Sequence, residues 1–363
     1  MMNYFDLRIE KLREKLPPDT ALLVTDDISR RYFSGFASSA GYMYISKNCC
    51  VLALDFRYFE KAKIAQTQGK MSKDVQLVEA NISRKEIVCK LIEKDNTTHL
   101  LYENCRTTCK AFEGLKNDFG GVAELVPAEN MIELLRAQKD EHELSRIVEA
   151  QRITDLGFDH ICRIIKRGMT ENEIALELEF FMRKNGASGL AFSTICVSGA
   201  KSSMPHGEPD ETVVSDGFLT LDFGASFDGY CSDMTRTLCV GKPTAEMLRI
   251  YDTVLAAQDA AFSKIHGGVV GKEVDAAARD LIYGAGYEGC FGHSTGHSLG
   301  LEIHECPNFS PREESKIPSG AVLSVEPGIY VEGKCGVRIE DIVFLTENGY
   351  KNLTNSTKDI IIL

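Results

Sequence analysis

Two segments in the second half of the chain each combine a hairpin pattern with a pair of acidic residues. In the first, two apolar runs carry Asp222 and Asp233. If residues 227–228 form the turn, Asp222 faces Asp233 directly, with Cβ atoms about 5 Å apart. Like charges so placed destabilise a hairpin unless a cation lies between them. The alternative, two solvent-exposed acids on an edge strand, fits poorly with the apolar neighbours Leu221 and Phe223.

The second segment repeats this arrangement nearer the C-terminus. A turn centred on Gly333 places Glu326 opposite Glu340, and Arg338 shares a face of its strand with Glu340 because side chains alternate with a period of two. Each half of this region therefore contains helices followed by a hairpin with opposed acids. The pattern predicts an internal duplication in which four carboxylates meet at the centre, where buried charges need partners or a metal.

A glycine-rich segment, residues 292–305, contains three of the eight histidines of the chain. Imidazole is the commonest metal ligand and also suits proton transfer near neutral pH. Apolar alternation predicts a half-buried strand here. Since His297 and His304 lie seven residues apart, a regular strand would point them to opposite faces. Gly296 and Gly300 must therefore bend the chain if both histidines reach one site, whereas the alternative is a glycine-rich turn with chance histidines.

Composition narrows the class of protein. The chain has 363 residues, of which 44% are hydrophobic and 26% charged, as in a globular protein of two domains. A net charge of −12 argues against nucleic-acid binding, and no apolar run is long enough to span a membrane. Charges throughout Met1–Leu16 predict an amphipathic helix and not an export signal. We therefore expect a cytoplasmic protein whose twelve cysteines are reduced and mostly buried.

The order of the patterns predicts two domains. Residues 1–127 are expected to form an N-terminal α/β domain, and residues 128–363 a catalytic domain. The boundary precedes a long helical stretch at 132–165, and a capping box at Thr170 opens a further helix that ends near residue 184. Strands of the N-terminal domain are predicted at 21–25, 42–45, 51–54 and 98–102.

The four acids of the two hairpins and one histidine of the glycine-rich segment form a candidate metal-binding set. This set is too rich in carboxylates for a structural zinc site, and it suits manganese, cobalt or iron better than calcium. Four carboxylates balance the charge of two divalent ions, and such a pair can polarise a carbonyl and activate water. His206 and His304 remain to donate hydrogen bonds to an oxyanion. The five candidate ligands are Asp222, Asp233, His297, Glu326 and Glu340.

These five residues, in this order and spacing, resemble the ligand set of the pita-bread metallopeptidases. The stretch 293–305 is similar to the signature of their proline peptidase branch, which contains aminopeptidase P and prolidase. Residues 31–36 and 55–58 are similar to the creatinase-like domain that precedes the peptidase domain in this branch. The resemblance implies an α+β protein, in which a creatinase-like N-terminal α/β domain is followed by a catalytic domain of duplicated helix–hairpin units.

The resemblance also implies a role for each matching residue. Asp222 would bind one metal, Asp233 and Glu340 would bridge the pair, and His297 with Glu326 would complete the second metal site. Glu326 would also relay a proton, and His304 would stabilise the scissile carbonyl oxygen. Two divalent ions are implied, manganese first, with cobalt, iron or zinc as alternatives. The pocket for the proline ring would be lined by His206, His293 and Arg338.

The expected activity is therefore metal-dependent hydrolysis of the Xaa-Pro bond at the N-terminus of peptides, in a homodimer. The alternatives are a prolidase, which cleaves only the dipeptide, a non-catalytic pita-bread binding protein, or creatinase-type hydrolysis. A strict dipeptidase needs a cation for the carboxylate that follows proline. Some prolidases, by resemblance, carry an arginine where this chain has Asn308. This favours an aminopeptidase, although Arg312 lies near in sequence and weakens the inference.

Overall fold

The computed structural model describes residues 3–363. It contains two compact units, Met1–Arg136 and Ala137–Leu363. The predicted boundary after residue 127 falls at the end of a strand and stays a prediction. No helix among the described residues is long and apolar enough to cross a membrane.

The first unit is an α/β sandwich around one six-stranded sheet. The strands lie in the order β4-β3-β2-β1-β5-β6, and only β2 runs antiparallel to its neighbours. All four predicted strands are present, and the predicted helix Met1–Leu16 is α1, with Met1 and Met2 outside the described residues. The elements are α1 (Tyr4–Lys15), β1 (Thr20–Val24), α2 (Asp27–Ser34), β2 (Tyr42–Ser46), β3 (Cys50–Leu54), α3 (Phe56–Thr67), β4 (Gln76–Glu79), α4 (Arg84–Asp95), β5 (His99–Tyr102), α5 (Cys109–Phe119), β6 (Glu124–Pro127) and α6 (Met131–Ala137).

The second unit contains two helix pairs, each followed by antiparallel strands. In the first half α7 and α8 cover the sheet β12-β9-β8, and in the second half α9 and α10 precede the sheet β14-β13-β15-β18-β19. The elements are α7 (Glu141–Ile164), α8 (Glu171–Lys184), β7 (Gly189–Leu190), β8 (Ile195–Ser198), β9 (Gly217–Phe223), β10 (Ala225–Phe227), β11 (Tyr230–Cys231), β12 (Met234–Val240), α9 (Ala245–Phe262), α10 (Gly271–Gly284), β13 (Gly296–Ser298), β14 (Glu305–Phe309), β15 (Val322–Val325), β16 (Gly328–Val331), β17 (Cys335–Arg338), β18 (Asp341–Thr346) and β19 (Gly349–Asn352).

The predicted helix at 132–165 is interrupted. Helix α6 ends at Ala137 and α7 begins at Glu141. Asp140 is the N-cap of α7: its carboxylate accepts a hydrogen bond from the Glu143 amide, and its own amide donates one to the Glu143 carboxylate. This reciprocal capping box starts a new helix and explains the break, because it saturates amides that a continuous helix would bond internally. The capping box predicted at Thr170 is present.

The register of the first hairpin differs from the prediction by two residues. Its turn is Asp228–Gly229, both with positive φ (45° and 73°), as a two-residue hairpin of type I′ requires. Asp222 consequently pairs with Thr235 and not with Asp233. A shift of two residues keeps Asp233 on the same face as Thr235, so the two acids remain diagonal neighbours.

The second hairpin has the predicted register. Gly328 pairs with Arg338 and Val331 with Cys335, so the turn is centred on Gly333. The same register, continued by two residues, sets Glu326 opposite Glu340. The glycine–histidine segment differs from the predicted strand: only Gly296–Ser298 is extended, after which the chain bends until β14 begins.

All twelve cysteines are free, as expected of reduced thiols. Four of them are buried, but three are exposed, so the expectation of burial holds only in part. The exposed three are Cys105, Cys109 and Cys306.

Candidate active site

A single cavity of about 1040 Å³ in the second unit brings together every site residue that the sequence predicts. Its walls come from both halves of the unit, since the first hairpin supplies two acids and the second supplies two more. The predicted residues that line it are His206, Asp222, Asp233, His293, His297, His304, Glu326, Arg338 and Glu340.

The centre of the cavity is a cluster of acids around His297. Asp233, His297 and Glu340 offer ligand atoms that all lie within 4.8 Å of one another. The Nε2 atom of His297 lies 3.5 Å from Asp233 Oδ2 and 3.3 Å from Glu326 Oε1. Its Nδ1 lies 3.2 Å from the Ser298 carbonyl, which can only accept, so we assign the proton to Nδ1. The Nε2 lone pair therefore faces two carboxylates, an arrangement that a shared cation satisfies.

Two carboxylates are each held by one oxygen only. Asp222 Oδ2 accepts a hydrogen bond from Arg338 Nη2 at 2.5 Å, and Glu340 Oε2 accepts one from the Thr235 hydroxyl at 2.7 Å. Their other oxygens, Asp222 Oδ1 and Glu340 Oε1, are buried, and no hydrogen-bond partner reaches them from residues 3–363. Buried oxygens without a donor fit metal coordination, because carboxylate oxygen is a preferred ligand of hard divalent ions.

The pKa shifts of the cluster also favour a bound cation. Burial, followed by repulsion between the acids, raises the pKa values of Asp233 and Glu340 well above their ordinary range. Burial also raises the pKa of Glu326 to about 7. The pKa of His297 is lowered by burial, so its imidazole is neutral and able to act as a ligand. A cation bound between these carboxylates would offset their mutual repulsion and stabilise their charged forms.

The guanidinium group of Arg338 donates four hydrogen bonds within the site. Its Nη1 donates to the Tyr330 hydroxyl at 2.6 Å, and the same hydroxyl lies 2.9 Å from His293 Nε2. Because His293 Nδ1 faces the Ser294 carbonyl at 2.8 Å, Nδ1 carries the proton and Nε2 accepts from Tyr330. The hydrogen bonds therefore run in one direction, from Arg338 through Tyr330 to His293. Burial lowers the pKa of His293 to about 3, which keeps this imidazole neutral.

Two further residues of the site, Thr235 and Tyr330, were not predicted from the sequence. The Thr235 hydroxyl donates to Glu340 and accepts from Arg338 Nε at 3.0 Å, so it joins the two hairpins. The signal for Thr235 was the Asp228–Gly229 dipeptide, which is typical of a type I′ turn and sets Thr235 opposite Asp222. Tyr330 lies two residues from the partner of Arg338 in the second hairpin, within diagonal reach on the same face.

The bend after β13 brings His304 back to the site. The rings of His297 and His304 lie 4.3 Å apart between centroids in an edge-to-face arrangement, as the predicted bend requires. Burial lowers the pKa of His304, so it can offer a neutral N–H to the cavity. Asn308 also lines the cavity, whereas Arg312 is exposed and is not among the lining residues.

Four carboxylates, a neutral His297 and buried oxygens without donors lie at the junction of two duplicated helix–hairpin units, an arrangement expected of a metal-dependent hydrolase. Comparison with known families agrees. The model of metallopeptidase family M24 matches residues 145–347, and that of the creatinase/prolidase N-terminal domain matches residues 8–138. The chain belongs to metallopeptidase family M24, in its proline peptidase branch, with a creatinase-type N-terminal domain and a pita-bread catalytic domain.

Three relatives are similar to this chain over nearly its whole length. An Xaa-Pro dipeptidase from Bacillus anthracis has 39% identity and a TM-score of 0.93, with 99% of this chain and 100% of that chain covered. An X-Pro aminopeptidase from Thermotoga maritima MSB8 has 36% identity and a TM-score of 0.89, with 98% and 100% covered. The Xaa-Pro dipeptidase of Pyrococcus furiosus is 32% identical, with 98% and 99% covered.

Proposed function

We propose that this protein is an Xaa-Pro dipeptidase that uses two divalent metal ions, with manganese as the favoured metal. The observation that carries the proposal is the convergence of four predicted acids and four histidines on one cavity, in a chain similar throughout to two Xaa-Pro dipeptidases. The sequence alone favoured an aminopeptidase, but the relatives support the dipeptidase alternative better.

Asp222, Asp233, His297, Glu326 and Glu340 would hold the two ions. The oxygens of Asp222 and Glu340 that lack donors, and the Nε2 lone pair of His297, support this assignment. When bound, divalent ions supply Lewis-acid activation of the scissile carbonyl and of water.

The remaining residues orient the substrate and move protons. Glu326, whose Oε1 lies 3.3 Å from His297 Nε2 at the centre of the cavity, would take up a proton at its carboxylate from the attacking water. His304 would donate an N–H to the oxyanion that develops on the scissile carbonyl. His206, His293 and Arg338 would line the pocket for the proline ring, with Arg338 and Tyr330 fixing the orientation of the His293 ring.

Aminopeptidase activity on longer peptides is the second candidate, and one observation favours it. The cavity position that could carry a cation for the carboxylate after proline is occupied by Asn308, and Arg312 is exposed elsewhere. An uncharged amide lets a peptide continue past proline, since it lacks the charge-assisted pairing that selects a free carboxylate. The relative from Thermotoga maritima is named an X-Pro aminopeptidase.

The deciding experiment compares Ala-Pro with Ala-Pro-Ala at equal concentration in the manganese-loaded enzyme, with release of alanine as the readout. The proposal predicts a higher kcat/KM for the dipeptide. Asn308→Arg should increase that preference by supplying a bidentate partner for the carboxylate, and Asn308→Gln is the matched uncharged control. Faster cleavage of the tripeptide would replace the dipeptidase by the aminopeptidase, and cleavage of neither would reject both. Light scattering on the same samples tests the expected homodimer.

A further inference from the structure

The break between α6 and α7 carries a lysine that enters the interior of the catalytic unit. The side chain of Lys139 has no exposed surface, and its Nζ donates to Ser298 Oγ at 2.9 Å and lies 3.3 Å from Glu305 Oε2. The Lys139 amide donates to the Gly320 carbonyl at 2.9 Å, which fixes the backbone at this point. The ammonium group is therefore held against a segment about 160 residues away in sequence.

Its partner Glu305 closes the loop that carries His304. The Glu305 carboxylate is 5% exposed, and its Oε1 accepts a hydrogen bond from the Glu302 amide at 3.1 Å. A Cβ atom at Gly300 would lie 2.8 Å from that same oxygen, so the glycine leaves room for the carboxylate. The carboxylate thus lies inside the bend of residues 299–304 and accepts a hydrogen bond from its backbone.

We propose that Lys139 is a positioning residue for His304, acting through Glu305. Lys139 contacts both ends of the bend: Ser298 directly follows His297, and Glu305 directly follows His304. The pair therefore fixes the stretch of chain that sets the 4.3 Å separation of the two imidazole rings. The consequence for turnover rests on the proposed role of His304, while the consequence for the loop does not.

The physical reason is the cost of removing one member of a buried ion pair. The remaining charge then loses compensation, whereas removal of both charges is far better tolerated. In Lys139→Met the Glu305 carboxylate loses the ammonium group beside it, and we expect the loop 299–304 to open so that water takes that place. In Lys139→Met/Glu305→Gln both members of this ion pair are removed, and the amide oxygen of glutamine can still accept from the Glu302 amide.

The first measurement is amide hydrogen exchange of the peptide that covers residues 298–306, in the metal-free and the manganese-loaded protein. Lys139→Met should exchange at least tenfold faster in this segment, and the double variant should recover most of the protection. Lys272→Met is the matched control, because Lys272 forms an exposed ion pair with Glu314 at 2.9 Å. The control should exchange as the wild type does.

The second measurement is the kinetics of whichever Xaa-Pro peptide the wild type cleaves, per folded and metal-loaded molecule. Lys139→Met should lower kcat at least tenfold with KM within twofold and with manganese content unchanged, and the double variant should restore kcat to within threefold of the wild type. The proposal is overturned if Lys139→Met has the hydrogen exchange and the kcat of the wild type. It is also overturned if the double variant shows the same loss of kcat and protection as Lys139→Met. If Lys139→Met does not fold, Lys139→Gln takes its place and should show the same pattern, and wild-type behaviour there would equally overturn it. A wild type without Xaa-Pro activity rejects the proposed function, but the exchange result still decides the role of Lys139.

Discussion

Replacing Thr235 by valine tests whether one hydroxyl joins the two acid-bearing hairpins. Thr235 is fully buried, donates to Glu340 Oε2 at 2.7 Å and accepts from Arg338 Nε at 3.0 Å. Valine has nearly the same shape, so the change removes both hydrogen bonds without leaving a cavity. Each bond to a charged group contributes about 1.5–3 kcal/mol.

The two bonds share one hydroxyl, so their contributions do not add fully, and we expect Thr235→Val to lower the free energy of unfolding by about 3 kcal/mol. Thr235→Ser is the matched control, because it keeps the hydroxyl and loses one buried methyl group, a cost of about 1 kcal/mol. Urea denaturation of the metal-free forms of both variants measures the difference, because weaker manganese binding would add to it in the loaded protein.

The same substitution should weaken manganese binding. Glu340 loses the contact that holds its carboxylate in place, and loss of an outer-shell partner typically lowers metal affinity about 10–100-fold. Calorimetric titration of the metal-free variants with Mn²⁺ measures this. A Thr235→Val protein as stable as Thr235→Ser, with the same manganese affinity, would refute the reasoning that this hydroxyl organises the site.

Four further outcomes are expected. Chelation should abolish activity and Mn²⁺ or Co²⁺ should restore it, with elemental analysis giving two ions per chain; less than one after reconstitution would reject the two-metal site. His304→Ala should lower kcat about 10²-fold and retain metal; loss of both ions would make it a ligand instead. Asp233→Ala should impair activity and metal content more than His206→Ala does, and the reverse order would contradict the ligand assignment. Burial raises the pKa of Glu326 to about 7, so near pH 7 the folded metal-free protein binds a proton at Glu326 that the unfolded chain has lost. The free energy of unfolding should therefore fall by at least about 0.4 kcal/mol between pH 7 and 9, as measured by urea titrations. Saturating Mn²⁺ should remove this pH dependence.

The sequence by itself determined the two acid-bearing hairpins, four strands of the first unit and the chemical types at the site. The strand patterns, the capping box at Thr170 and the second hairpin were predictable because turn chemistry, capping and two-residue alternation are local properties. The turn centred on Gly333 was sufficient to set Glu326 opposite Glu340. The histidine spacing also predicted that a bend is needed if His297 and His304 share one site, and the structure has that bend.

The tertiary structure decided how these side chains are held. The register of the first hairpin was available locally from the Asp228–Gly229 turn, but the hydrophobic pattern could not distinguish the two registers, because a shift of two residues keeps the same face. Thr235 and Tyr330 act through partners on the other hairpin strands. Lys139 lies in a break that apolar periodicity did not show, and its partners are about 160 residues away. Such contacts are set by packing between distant segments, so no local pattern in the sequence specifies them.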